Sequence, residues 1–268
     1  VKTEYTTKTV GYADHLNSAG SKKEGVQPIT ELDPEISIED AYDIQLYTIE
    51  QNVKSGRRIT GKKIGLTSKV MQEALGVEEP DYGHLLDDMQ VKNGGTIPLG
   101  RVLQPKVEGE IAFILKDDLE GPDVTIQDVL EATEVVVPAL EIIDSRIKDW
   151  KITLADTVAD NASSGLYLLG DIPTKIEDID LKQVEMTLYK NGILQNTGVG
   201  TAVLGDPAKC VAWLANKLSS YGITLKAGEI ILSGALSAAV EAGPGDYFSA
   251  KFSGLEEVRV SFDEYEER

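Results

Sequence analysis

The sequence predicts an α+β protein: a small N-terminal α/β part over residues 1–88, then a larger strand-rich domain over residues 89–268. Three observations predict it. "SIEDAYDIQLYTIEQNVKSG" opens with Ser37 and Asp40 at capping-box spacing and continues with a helical apolar period. From about residue 90, short apolar runs broken by Gly, Pro and Asn become the rule. Asn191-Gly192 sits between two alternating runs, a strong hairpin signal.

In chain order, residues 1 to 35 give no clear pattern, and "NSAGSKKEGVQP" reads as a polar loop. In the helix that follows, Ile38, Ala41, Tyr42, Ile49 and Val53 fall on one face. "RRITGKKIGL", residues 57–66, reads as a short strand. "SKVMQEALGV" reads as a helix closed by Gly76, and "EEPDYGHLLDDM" as a loop marked by Pro80 and Gly83. The strands then expected are "EGEIAFIL", "EVVVPALEII", "VEMTLYKNGILQ", "GEIILSG" and "DYFSAKFSG". Val184, Met186 and Leu188 should face the core. Two helices interrupt these strands. One follows Thr125, capped with Asp128; the other follows Asp206-Pro207. There is no internal repeat.

The chain has 268 residues, enough to bury a large core without staples. Its single cysteine, Cys210, excludes an intrachain disulfide and a cysteine-rich zinc site. Cys210 lies in an amphipathic helix and reads as a buried structural thiol. A net charge of −19 argues against nucleic acid and against anionic membranes as partners. It leaves room for an anionic substrate if a site supplies local positive charge. No apolar run approaches the roughly 18 residues of a membrane span, and the N-terminus lacks an apolar signal core, so a cytoplasmic protein is expected.

The chemistry gathers around "KVEGEIAFIL", residues 106–115. Glu108 and Glu110 point the same way from one strand, about 6.5 Å apart. Like charges on one face repel. Either this is an edge strand with solvated glutamates, or a divalent cation neutralises the pair. Glu141, inside the apolar run "VVVPALEII", offers a third carboxylate that is costly to bury unless paired or bound to a cation. Asp144 and Arg146 follow and could pair with each other. With two histidines and no HExxH, zinc hydrolysis is disfavoured; Walker, GxGxxG and GxSxG signatures are absent.

Five segments in register carry a resemblance over most of the chain, from about residue 35: "KKIGLTSKVMQEALGVEEPDYGHLLDDM", "PKVEGEIAFIL", "PALEIIDSRIKDW", "DTVADNASSG" and "GEIILSGAL". Together they resemble the 2-keto-4-pentenoate hydratase family of the fumarylacetoacetase-like superfamily. The resemblance implies a fumarylacetoacetase-like mixed β-structure, roll- or barrel-like, with flanking helices. It implies Mg²⁺ or Mn²⁺ held by Glu108, Glu110 and Glu141, Lys63 near the substrate carboxylate, Asp81 in proton transfer, and Ser163 in the pocket wall. It also implies a homo-oligomer in the catabolism of aromatic compounds, a small 2-oxo or 2-hydroxy-dienoate substrate and association with pathway enzymes.

Carbon–carbon hydrolases of that superfamily place an aspartate where this chain has Glu141, which favours the hydratase and decarboxylase branch. Within it, "RIKDW" and "DTVADNASSG" resemble the pentenoate hydratases, whereas "DSR" also occurs in 4-oxalocrotonate decarboxylases. "EISIEDAY" and "DYGHLLDDM" resemble the hydratase of 2-oxohept-4-ene-1,7-dioate. Outside catalysis, the acidic trio also fits a metal-binding structural protein. Read without the resemblance, Lys63 is a solvated surface lysine, Asp81 a turn residue and Ser163 a cap.

Overall fold

The structure, a computed structural model, describes residues 4–264. Its main sheet is built from β1 (Ile59–Gly65), β2 (Asp81–Leu86), β4 (Lys106–Leu115), β5 (Thr133–Ile143), β6 (Ser164–Leu169) and β10 (Ile230–Ala235), in the order β2-β1-β10-β4-β5-β6. Two short strands extend it: β7 (Thr174–Lys175) pairs with β5, and β11 (Val240–Glu241) with β4. A second sheet orders β3 (Thr96–Ile97), β13 (Val258–Phe262), β12 (Tyr247–Phe252), β8 (Glu185–Lys190) and β9 (Ile193–Val199). Pairing is antiparallel except for β1 with β10 and β3 with β13.

Among the described residues seven α-helices flank the sheets: α1 (Thr7–Lys22), α2 (Ile29–Leu32), α3 (Ile38–Lys54), α4 (Lys69–Leu75), α5 (Ile126–Ala132), α6 (Leu154–Ala159) and α7 (Pro207–Ser219). The Ser37–Asp40 and Thr125–Asp128 capping boxes form as their spacing predicts. Gly76 closes α4 at φ 67°. Asn191 and Gly192, both at positive φ, turn β8 into β9, and Val184, Met186 and Leu188 are buried. Cys210 is fully buried in α7. No helix among the described residues is long and apolar enough to cross a membrane.

Three local expectations are corrected. Residues 17–22 are not loop but the last turns of α1, a helix that Thr6 caps at its start and Lys23 at its end. The helix buries Ala13, Leu16 and Ala19, and alanines give a weak periodic signal. Val53 is 44% exposed; α3 buries Ile44 and Gln45 instead. "DYGHLL" is a fully buried strand rather than a loop. Its Gly83 is there for close approach, since a Cβ would stand 2.3 Å from the Asn161 carbonyl oxygen.

The main sheet curls until β6 returns to its β2–β1 end. Thr60 on β1 and Tyr167 on β6 share a hydrogen bond between hydroxyls, 3.0 Å long. The Asn161 side chain accepts from the His84 backbone N–H at 2.7 Å and donates to the His84 carbonyl at 2.9 Å, acting as a strand surrogate along β2. Inside the curl, Leu85, Ala112, Val137, Ala139, Tyr167 and Leu232 form a small apolar cluster. The outer face carries the main core, including Val107, Ile111 and Phe113 of β4.

The parallel β1–β10 contact is a tight joint. A Cβ at Gly61 would stand 1.8 Å from the Ile230 carbonyl oxygen, which backbone alone must relieve. Gly61→Ala is expected to destabilise by roughly 2–4 kcal/mol, read as a clear fall in thermal midpoint; an unchanged midpoint would contradict this packing.

Candidate active site

Cross-strand partners share a face of a sheet. Lys63 lies opposite Leu232 and Gly83, Leu232 opposite Ala112, and Glu108 opposite Glu141. Following that register, Lys63, Asp81, Glu108, Glu110 and Glu141 all lie on the inner face of the curl, beside the apolar cluster. The sheet therefore gathers residues up to 78 positions apart without any loop contributing, as Lys63 and Glu141 show.

The edge-strand reading of the glutamates fails, because β4 lies between β10 and β5. Glu110 and Glu141 are buried and Glu108 is half-buried. Each of the three offers an oxygen within 4.8 Å of the others. Gly109 between the two β4 glutamates points the other way, where a Cβ would come within 3.1 Å of Met186 on the second sheet. The Gly234 amide donates to Glu110 at 2.9 Å. Neither Glu141 oxygen has a hydrogen-bond partner, although Lys63 Nζ stands 3.4 Å from Oε1.

Both lysines of "KK" are buried, and they serve opposite faces. Lys62 points outward to Glu229 at 2.7 Å. Lys63 points inward and donates to the Ala162 carbonyl at 3.1 Å. That carbonyl is aimed by Asn161, Ala162 and Ser163, which hold φ of 55°, 51° and 51°. Three successive non-glycine residues in the left-handed region store backbone strain. Ser163 is buried in this turn, its hydroxyl 3.2 Å from that of Thr157 on α6. Asp81 opens β2 opposite Gly65. Its buried Oδ1 is unpartnered, and a Cβ at Gly65 would come within 2.2 Å of it.

The Asp144–Arg146 pairing suggested by sequence does not form. Asp144 accepts from the Leu103 and Gln104 amides. Arg146 pairs with Asp160 at 2.5 Å and also donates to the Asp144 and Ser164 carbonyls. It thereby buttresses the strained turn from behind.

Burial shapes the charge states. It pushes Glu108 up to about 7, reinforced by Glu141. It lifts Glu110 well above the usual range, reinforced by Glu141 and Glu108. It raises Glu141 and Asp81 as well, with Lys63 opposing in each case. For Lys63 burial works downward, but Glu141, Asp81, Glu108 and Glu110 outweigh it and keep the ammonium charged.

Residues 70–262 match the model of the fumarylacetoacetate (FAA) hydrolase C-terminal family. Among similar proteins, the 2-hydroxypent-2,4-dienoate hydratase of Pseudomonas putida is 52% identical over 78% of this chain and 95% of its own. The 2-hydroxyhexa-2,4-dienoate hydratase of Comamonas testosteroni is 48% identical over 88% of this chain and 90% of its own. The chain belongs to the 2-keto-4-pentenoate hydratase family, within the FAA hydrolase group. Among solved structures, 4-oxalocrotonate decarboxylase from Pseudomonas putida G7, complexed with magnesium and adipate, superposes with a TM-score of 0.94 at 35% identity. That alignment covers 98% of this chain and all of the other. The fumarylpyruvate hydrolase of Pseudomonas aeruginosa, at 14% identity and a TM-score of 0.61, shares the fold. The FAA hydrolase-like mixed β-structure expected from sequence is thus the observed one, as an incompletely closed curl rather than a barrel.

The hydratase-family site fits a divalent cation on its own chemistry. Three carboxylates within 4.8 Å of one another, two of them buried and facing a single buried ammonium, are expensive unless a further cation neutralises them. An all-oxygen set suits Mg²⁺, Mn²⁺ or Ca²⁺ rather than a soft metal. Sequence reasoning missed the Ala162 carbonyl, the Gly234 amide and Gly65. Only Gly65, in "KIGL", left a visible mark, as a glycine inside a strand.

The raised carboxylates give the site a pH signature. Without metal, the folded state holds protons that the unfolded chain releases between the ordinary 4.5 and about 7. That stability is fully present below the window and lost as pH rises through it. In chelator, the thermal midpoint should therefore fall between pH 5 and 8, and stabilisation by added Mg²⁺ should grow over the same range. Glu108→Gln should flatten both trends; a midpoint in chelator that rises across this window in step with wild type plus metal would refute the assignment.

Proposed function

We propose that this protein is a divalent-metal-dependent hydro-lyase that adds water to 2-hydroxypenta-2,4-dienoate (2-keto-4-pentenoate) and yields 4-hydroxy-2-oxopentanoate. The observation that carries the proposal is the inward-facing set of Lys63, Asp81, Glu108, Glu110 and Glu141 on one sheet. The hydratase names of relatives 45–52% identical support it.

Glu108, Glu110 and Glu141 would hold Mg²⁺ or Mn²⁺. A cation bound there supplies Lewis acidity at the substrate's 2-oxygen. Lys63 holds the substrate carboxylate through its ammonium. The surrounding carboxylates keep that ammonium charged, which opposes imine formation, since an imine needs the free amine. Burial raises Asp81, which suits it to pass a proton to C5 and so produce the conjugated 2-oxo-3-enoate. As a carboxylate it then takes a proton from the water that adds at C4, and so is restored. The 2-hydroxyl releases its proton to solvent in the first step and C3 gains one from solvent in the second, so the sum is one water added. Ser163 would help form the pocket wall through the turn it shares with Ala162. We further assign it, from its family, as a cytoplasmic homo-oligomer of aromatic catabolism.

The likeness to 4-oxalocrotonate decarboxylase favours a second reading, loss of CO₂ from 2-oxohex-3-enedioate. Purified protein with Mg²⁺ should convert the pentadienoate faster than it releases CO₂ from the diacid; the reverse order would replace hydratase with decarboxylase. EDTA should abolish turnover and Mg²⁺ or Mn²⁺ restore it. Asp81→Asn should lower kcat by about 10²-fold or more, whereas Lys63→Ala should chiefly raise KM. Near-normal kcat in Asp81→Asn would move proton transfer to another group.

A further inference from the structure

One cation near the site has no part in the scheme above. Lys106 begins β4, two residues before Glu108, and alternation puts it on the same inner face as Glu108 and Glu110. Its charge is felt at Glu108, whose carboxyl it works to lower. Burial falls along this line: Glu110 is buried, while Glu108 and Lys106 are half-buried. The cup therefore opens at the Lys106 end. At the opposite end the apolar cluster of Leu85, Ala112, Val137 and Leu232 closes it.

Lys106 is held there without a carboxylate partner. Glu241 faces it across β11, yet among the described residues no acid forms an ion pair with Lys106. Its ammonium lies instead over the Trp150 ring, 4.5 Å from the centroid. The indole is itself fixed. Trp150 Nε1 donates to the Gln104 carbonyl at 3.0 Å, and the Gln104 side-chain oxygen accepts from the Asp149 amide at 2.8 Å. Gln104 Nε2 donates to the Ser145 and Ile147 carbonyls at 2.9 and 2.7 Å. Asp149 and Trp150 adopt φ of 58° and 54°, so the backbone accepts strain to set the ring beneath the lysine. A solvated lysine needs no such support.

We propose that Lys106, braced on Trp150, is the capture cation at the mouth of the site: it draws an anionic substrate in and takes no part in bond making. The inference rests on the anionic 2-hydroxydienoate reading above. The chain carries a net charge of −19, and its site gathers four carboxylates around one lysine. An anion approaching such a surface is repelled unless a cation faces it at the opening. Lys63 cannot serve there, being buried and already bound to the Ala162 carbonyl. Lys106 is placed to act first and Lys63 second.

The test is steady-state kinetics of the full chain at saturating Mg²⁺ with 2-hydroxypenta-2,4-dienoate. Lys106→Met keeps a flexible chain over Trp150 and removes the charge. It should lower kcat/KM by about 3- to 10-fold with kcat within about twofold. Wild-type kcat/KM should fall with added salt, and Lys106→Met should weaken that fall. Lys106→Arg should restore both. As an inhibitor, a dicarboxylate such as adipate should lose more affinity to Lys106→Met than a monocarboxylate such as pyruvate, because the lost attraction scales with ligand charge. Unchanged kcat/KM and salt slope in Lys106→Met would overturn the proposal, as would a loss confined to kcat. Wild type inactive on the dienoate would instead overturn the functional reading on which it rests.

Discussion

The structure turns on one electrostatic conflict. Glu108 and Glu141 face each other directly across two antiparallel strands, and Glu110 stands next to them on the same face. Little local relieves this repulsion: the strands are central, Glu110 and Glu141 are buried, and the positive charges that reach the trio, Lys63 from within and Lys106 at the rim, are outnumbered. A sheet under no functional demand would place apolar residues here, as it does one pair further along, where Ala112 faces Val137. The surrounding structure is arranged so that the conflict persists. The apolar cluster below keeps water out, the Gly234 amide fixes Glu110, and the second sheet presses on β4 from behind at Gly109.

Lys63 and Asp81 extend the same design. They come from neighbouring strands, so the hydrogen-bond ladder sets their separation, with Gly65 leaving room for the aspartate. Placing the charged groups of a site on strands rather than on loops lets the fold hold them more closely. Among the described residues, successive non-glycine residues at positive φ occur in two short segments, residues 161–163 and 149–150. Each lies next to a lysine on the inner face. In both the backbone is bent so that a fixed group, a carbonyl or an indole, meets an ammonium.

Much of this could be read from the sequence. The capping boxes, the Asn191-Gly192 hairpin and the strand-rich second half rest on local rules that tertiary context did not override. The Glu108–Glu110 pair was visible because a two-residue period is unmistakable, and Glu141 because an acid in an apolar run has a cost. Lys63 and Asp81 were not legible from local pattern. A lysine pair looks solvated, and "PDYG" looks like a turn; only the family resemblance singled them out. The strand at 81–86 was misread for the same reason, since Gly83 marks a close backbone contact that no short-range rule anticipates. The pairing of Arg146 with Asp160 instead of Asp144 was hidden because side-chain partners fourteen residues apart depend on how α6 returns to the sheet.

The amide of Asn161 has a consequence for how the molecule responds to heat. It grips both the N–H and the carbonyl of His84, while the carbonyl of its neighbour Ala162 holds Lys63. The turn and the β2 strand that bears Asp81 are thus riveted by one side chain, and the ammonium and the acid move as a single body. Warming cannot loosen their alignment piecemeal; it has to undo the sheet edge itself. Catalytic competence and the folded state should then disappear over one temperature range, with no inactive but folded species in between.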